Sequence, residues 1–479
     1  MEPSEAQQLT ERLSQELTSR RPTVDERLAY FKGDLGRLKY ATDEFARYFG
    51  DRFRGFADNW CRPVIEAPAE RMTLVGVRLG EERRADAQLA RVWDGTDCDR
   101  GLAEAVAVMM SAGWAYALVH PGPRVTWESP SQAIVDRDPV TGDIRAGLVS
   151  WIDDKHDYAT LYTADEVWKW QRSRTPDAWD KKLPSPGGGW EPREVAGETW
   201  PITNPLGEVP MIELRNQTLL DDVPISDISG VMSMQDAINL VWAYLLNALD
   251  YASLPTRLVG GAEAPRVPIL DVNGQETGMT RPLDLDQLVK DRVLWVPGQG
   301  VTFDEWSAAN LDAFSKVIEH AVEHIAAQTR TPPHYLVARM VNTAAESLTI
   351  AEAGLVSKTR ERITFVKAPL RRLFRLIALA LDDPEKAEAA QWATLLWSNI
   401  QYRSEAQLAD ALLKKRQTGY PLQWIAEQDG LDPAEVERLM EMVEQEQADP
   451  LGERLLREVA DAAAAGRGAP ASADAPADR

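Results

Sequence analysis

The stretch 226-SDISGVMSMQDAINLVWAYLLNALDYASLP-255 decides the fold. Its apolar residues Ile228, Val231, Met234, Ile238, Val241, Leu245 and Leu249 recur at steps of three and four, the period of a helix that buries one face. Ser226, after Pro224, is the expected N-cap, and Asp227 falls in the first turn, where the helix dipole favours an anion. Leu254-Pro255 ends the helix, because the residue before proline is driven out of the helical region. A second helix rises after Asn310 through Leu311, Phe314, Ile318, Ala321 and Ile325, and stops at Thr331-Pro332-Pro333. Beyond Thr343, the residues Leu348, Leu355, Ile363, Val366, Leu370, Phe374 and Ile377 mark a longer helix, with Pro369 as an expected kink. The insert Arg257 to Trp306 reads as β-rich, with Asn273-Gly274 as a hairpin turn and Arg292 to Val296 as a strand. Two rods joined by an insert at one end and a loop at the other suit a mechanical part better than a catalytic pocket.

On the N-terminal side, Glu5 to Thr18 is an expected helical arm, followed by a loop at Arg21-Pro22 and a helix from Asp25 to Tyr30. Phe53 to Ala69 reads as helix, Thr73 to Leu79 as strand, Leu102 to Ser111 as helix and Ala115 to His120 as strand. Short β runs then follow at Val125 to Trp127, Ala133 to Val135, Gly147 to Ile152, Tyr158 to Thr163 and Glu166 to Gln171. Asp138-Pro139 to Gly142-Asp143 is a hairpin loop. At the far end, Ala406 to Arg416, Leu422 to Gln428 and Pro433 to Glu446 form a small helical module, and Ala462 to Arg479 is too poor in large apolar residues to fold. The class is α+β.

A chain of 479 residues can bury a large core and usually holds two or more domains. The net charge of -22 argues against wrapping nucleic acid, which takes clustered Lys and Arg. It is compatible with a surface that DNA passes without sticking, since like charges repel. Cys61 and Cys98 have no metal spacing and imply a reducing compartment. Met1 to Arg21 is too polar for a secretory signal, and Ala105 to Val119 is too short for a membrane span, so a soluble protein is expected. Most of the sixteen Trp must fill cores, while some could anchor protein interfaces.

His320-Ala321-Val322-Glu323-His324 fits the HxxEH pattern of a zinc metallopeptidase, with two histidines one turn apart beside a general-base glutamate. A third ligand is not marked, though Glu346 and Glu352 are available, and an ordinary polar helix face is the simpler reading. No GxSxG, phosphate loop or GxGxxG occurs. Asp271-Val272-Asn273-Gly274 has its glycine too early for a calcium loop.

Several segments in a fixed order resemble the portal (head–tail connector) proteins of long-tailed bacteriophages. They are Phe56 to Ile65 (FADNWCRPVI), Trp127 to Gln132 (WESPSQ) with Asp138-Pro139, Pro205 to Pro210 (PLGEVP) before a strand ending at Arg215-Asn216, and Met234 to Asn239 (MQDAIN). Leu254 to Arg257, Thr329 to Leu336 (TRTPPHYL) and Thr343 to Ser347 (TAAES) complete the resemblance, which covers about Asp25 to Met442. It implies a multi-domain portal fold with a β-rich wing, a two-helix stem, a small α/β clip, a long kinked helix and a helical crown. The implied segments are an N-terminal arm (1–45), wing (46–222), first stem helix (223–256), clip (257–306) and second stem helix (307–332). A tunnel loop (333–345), the long helix with its return to the wing (346–402), the crown (403–460) and a disordered tail (461–479) follow.

By the same resemblance, His334, Tyr335, Arg339, Met340 and Asn342 belong to the tunnel loop facing DNA, and Arg266, Arg281, Lys290 and Arg292 to the clip that contacts terminase and adaptor. The resemblance further implies a ring, usually dodecameric, at one capsid vertex of the virion, assembled in host cytoplasm. Double-stranded DNA would pass through it. Its partners would be the terminase large subunit, a head–tail adaptor, the major capsid protein and scaffold, with no membrane. Such proteins need no cofactor and catalyse nothing, since the terminase hydrolyses ATP. Glu319, His320, Glu323 and His324 receive no role from the resemblance.

Overall fold

A computed structural model of the chain describes residues 1–80, 82, 84–175, 185–186, 189–220, 223–253, 257–260, 266–271, 274–282, 293–296, 300, 302–305, 311–336, 345–401, 405–429, 431 and 433–448. Contacts divide the chain into two units. One comprises Met1–Val24, Pro68–Pro224 and Val356–Arg479; the other comprises Asp25–Ala67 and Ile225–Leu355. Helix and sheet are mixed, as expected.

The first unit is built on antiparallel strands, several of them buried along most of their length. Ala133–Arg137, Ile144–Ile152, His156–Tyr162 and Glu166–Thr175 pair in sequence order, and Ile202–Thr203 adds to the last. Trp168 and Trp170, two residues apart, share a face, and Trp200 meets both rings edge-on at 5.0 and 5.2 Å. The N-terminal helix Pro3–Lys32 covers this cluster with Ala6, Leu13 and Leu17. A second sheet, Met211–Arg215, Trp114–His120 and Arg124–Glu128, contributes Tyr116, Leu118 and Met211 to a separate buried cluster with Val135, Ile144 and Val149. Leu74–Arg78 pairs with Thr394–Trp397, over 300 residues downstream, a pairing that no local pattern announces.

Three expectations are corrected. The helix Pro3–Lys32 runs straight through Pro22, where a loop was expected. Losing one backbone bond at proline is offset by side-chain anchoring. Arg20 donates to Tyr116 Oη (2.8 Å), Pro130 O (2.9 Å) and Ala133 O (2.6 Å), and Arg21 donates to Ser131 O (3.0 Å). In the Phe53–Ala69 segment, helix is confined to Cys61–Ala69. Asn59 Oδ1 accepts from the amides of Cys61 (3.0 Å) and Arg62 (3.2 Å), which fixes that start. Finally, Ser226 caps a turn through Ile228 N (3.3 Å), and the helix proper begins at Met232. Short helices at Asp43–Phe49, Ala87–Gly95 and Pro384–Ala390 were not anticipated.

In the second unit, helices Met232–Ser253 and Asp312–Thr329 pack on each other, as their paired apolar stripes require. The insert between them is β-structured where described. Arg257–Gly260 pairs in parallel with Val293–Val296 and antiparallel with Thr302–Glu305. Arg266–Leu270 and Glu276–Pro282 form the predicted hairpin, with Gly274 at φ +80 in its turn. The long helix spans Ala345–Ala380 and contains Pro369. Back in the first unit, Glu405–Gln417, Leu422–Asp429 and Pro433–Ala448 are the three helices expected near the C-terminal end. The tail expected to be disordered lies outside the described residues.

Candidate functional site: the helix pair, its polar lock and its loop

Along Met232–Ser253 the apolar stripe is buried at Ile238 and Leu245, but Leu249 is exposed. The residues that periodicity passes over carry the helix's placement. Gln235, fully buried, accepts from Trp60 N (2.7 Å) and donates Nε2 to Asp58 O (2.6 Å) and Asn239 Oδ1 (3.1 Å). Asn239 Oδ1 also accepts from Asp58 N at 3.0 Å. Asp58 Oδ2 takes the indole protons of Trp60 (2.9 Å) and Trp242 (2.7 Å). One helix face is thereby stitched to the backbone of residues 58–60, leaving few buried polar groups unmet.

At the next residue, Tyr30 Oη donates to the buried Asp236 Oδ2 at 2.6 Å, and Lys39 lies 3.9 Å from that carboxylate while bonding Glu26 at 2.7 Å. Burial raises the Asp236 carboxyl above its ordinary range, opposed by the Tyr30 bond. Burial likewise raises the Tyr30 phenol, assisted by Asp236. Asp236 is thus met by one donor, Tyr30, and one nearby cation, Lys39. Both Gln235 and Asp236 lie inside MQDAIN, a segment noticed for resemblance and not for chemistry. Polar residues flanking an apolar stripe were the only available signal.

Asp312–Thr329 buries Ile318, Val322, Ile325, Ala326 and Thr329, so Val322 takes the place expected for Ala321. Its opposite face is exposed and carries Asp312, Lys316, His320, Glu323 and His324. His320 Nδ1 stands 3.4 Å from Glu323 Oε2, with the imidazole 74% exposed. Among the described residues, no group of three or more His, Cys, Asp or Glu gathers as a metal site requires. The HxxEH pattern is thus a solvated helix face, and the peptidase reading has no support.

The helix ends at Arg330, which adopts φ +55 in the left-handed region usually left to glycine, at a cost of about 1–2 kcal/mol. Its amide closes on Ala326 O, and Thr329 Oγ1 bonds Ile325 O (2.7 Å) and Thr331 (2.9 Å). The chain then makes the short helix Pro333–Leu336. His334 and Tyr335, expected in the tunnel loop, sit in that turn against the buried Glu352, at 3.7 Å and 3.4 Å. Arg339, Met340 and Asn342 lie outside the described residues. Of the clip candidates, Arg266 and Arg281 are exposed on facing strands of one hairpin, opposite Pro282 and Val267. Lys290 and Arg292 lie outside the described residues.

Comparison with known proteins gives this arrangement its class. Residues 11–449 match the family model for phage portal protein, SPP1 Gp6-like, and the chain belongs to that family. The portal protein of Mycobacterium phage D29 is 25% identical over 420 residues, covering 82% of this chain and 79% of that one. The portal protein of Mycobacterium phage L5 is 25% identical over 327 residues, covering 63% and 60%. Among solved structures, a chain from the neck of a native gene transfer agent particle, computed with C12 symmetry, has TM-score 0.42 and 14% identity, covering 85% of this chain and 98% of that one. A chain from the neck of the empty particle, computed with C6 symmetry, gives 0.43 and 15%, covering 78% and 89%.

Proposed function

We propose that this phage portal family member is the subunit of a ring at one capsid vertex, through which double-stranded DNA is packaged and released. The match of residues 11–449 to the portal family carries this reading. The helix pair is its stem, the insert 257–306 its clip for terminase and adaptor, and residues 333–345 its tunnel loop. Residues 46–222 supply the wing, and 403–460 the crown. Major capsid protein and scaffold surround the ring, assembly takes place in host cytoplasm, and the protein performs no catalysis.

The physical case rests on charge. The exposed face of Asp312–Thr329 has carboxylates at Asp312 and Glu323 against one lysine, Lys316. Such a wall repels phosphates and lets a duplex slide, since strong neutralising contacts would hold it. Tunnel-loop residues Arg339, Met340 and Asn342 would supply the transient grip.

Negative-stain imaging and particle mass of the purified chain test the reading. Annular particles are expected. A compact monomer at every concentration, with no annulus in virions either, would overturn it. Replacing Arg339, Met340 and Asn342 together should impair DNA packaging or retention while rings still form.

A further inference from the structure

Within an acidic chain, one cleft of the first unit collects cations. Two cavities of about 330 and 720 Å³ lie side by side between the hairpin at residues 137–145, the segment 207–218 and the long helix. Their linings hold Arg137, Arg145, Arg215, Arg371, Arg372 and Arg375. The linings hold three carboxylates, Asp143, Glu208 and Glu213, and Asp138 meets Arg145 from beside them.

Most of these arginines are already engaged. Arg137 donates to Glu213 (2.7 Å) and Gly142 O (2.7 Å), and Arg215 lies 3.6 Å from Glu213. Arg375 is held by Glu208 (2.6 Å) and Ala387 O (3.1 Å), and Arg145 by Asp138. Arg372 differs, and it is common to both linings. Its Nε is buried with no hydrogen-bond partner among the described residues, and its other contact is a long 3.5 Å approach to Val209 O. Its neighbour Arg371 uses Nε on Ala393 O at 2.7 Å. Burial lowers the affinity of Arg372 for its proton, the sign of a charge without adequate compensation.

We propose that Arg372, with Arg371, forms a binding site for a small tetrahedral oxyanion of the inorganic phosphate class in this cleft. A guanidinium fork matches an oxyanion edge in geometry and charge. Asp143, an exposed carboxylate in both linings, competes for the same position. The bound anion would tie the long helix to the hairpin and to the segment at Glu208-Val209. The site is independent of the ring reading.

The test is calorimetric titration of the full chain with inorganic phosphate at constant ionic strength, with chloride as the control anion. Saturable binding at one site per chain is expected. Arg372→Met should weaken it about tenfold or more, because hydrogen bonds to charged groups are strong. Arg372→Lys, which keeps the charge and loses the fork, should lose several-fold, and Asp143→Asn should tighten binding. Circular dichroism checks folding, and if Arg372→Met unfolds, the Lys and Asn variants decide. Absence of saturable phosphate binding, equal binding by the Arg372 variants, or weaker binding by Asp143→Asn would each overturn the proposal.

Discussion

Replacing Gln235 by leucine tests whether the polar lock, and not the apolar stripe, sets the position of the first long helix. The substitution keeps volume and removes all three hydrogen bonds of the amide. Two of its partners are backbone groups, Trp60 N–H and Asp58 C=O, with no other bond of theirs on this face. Each such group left unmet costs about 1–3 kcal/mol, so local stability should fall by about 2–6 kcal/mol. At 1.4 kcal/mol per factor of ten, that raises the opening constant about 30-fold or more. Hydrogen exchange of the Trp60 amide reads it directly, since among the described residues Gln235 is the acceptor of that proton. Gln235→Glu adds a sign. A buried carboxyl there faces Asp58 O and Asn239 Oδ1, so only its protonated form can donate. Its folded pKa is then raised above the ordinary glutamate value of about 4.3. The stability it retains is complete below that value and is lost as pH rises through the folded pKa. Unchanged Trp60 exchange in Gln235→Leu, or a Gln235→Glu variant that grows more stable with rising pH, would refute the reasoning.

Further outcomes follow from the same geometry. A Cβ on Gly101 would lie 2.1 Å from the Trp127 ring, so Gly101→Ala should lose about 1–3 kcal/mol in denaturant unfolding despite the helix-propensity gain. Gly147→Ala meets the Met211 sulfur at 2.6 Å, which a flexible thioether can yield, and should cost less. The Asp138 carboxyl, held down to about 2 by Arg145 and by the Val140 and Thr141 amides, gives its turn stability in full above the ordinary aspartate range. That stability is lost as pH falls toward 2; amide shifts of Val140 and Thr141 that ignore this window would contradict it. Burial pushes the Cys61 thiol up to about 12 and Cys98 to about 11, so neither should be alkylated at pH 8 until the protein is unfolded.

The sequence by itself determined the elements whose signal is local. Steps of three and four mark both helices of the pair, Asn273-Gly274 the hairpin of the insert, and short runs between turn residues the strands from Val125 to Gln171. The family was legible as well, because its segments keep their order along the chain. Only the tertiary structure decided what depends on distant partners. Arg20 bonded to Ala133 carries a helix through Pro22, and Leu74–Arg78 finds its partner at Thr394–Trp397. Gln235 and Asp236, polar positions outside the apolar stripe, become a buried lock because Trp60 and Tyr30 meet them. Periodicity records which side of an element avoids water. It cannot say which polar groups will be compensated there, since that free energy belongs to pairs brought together by folding.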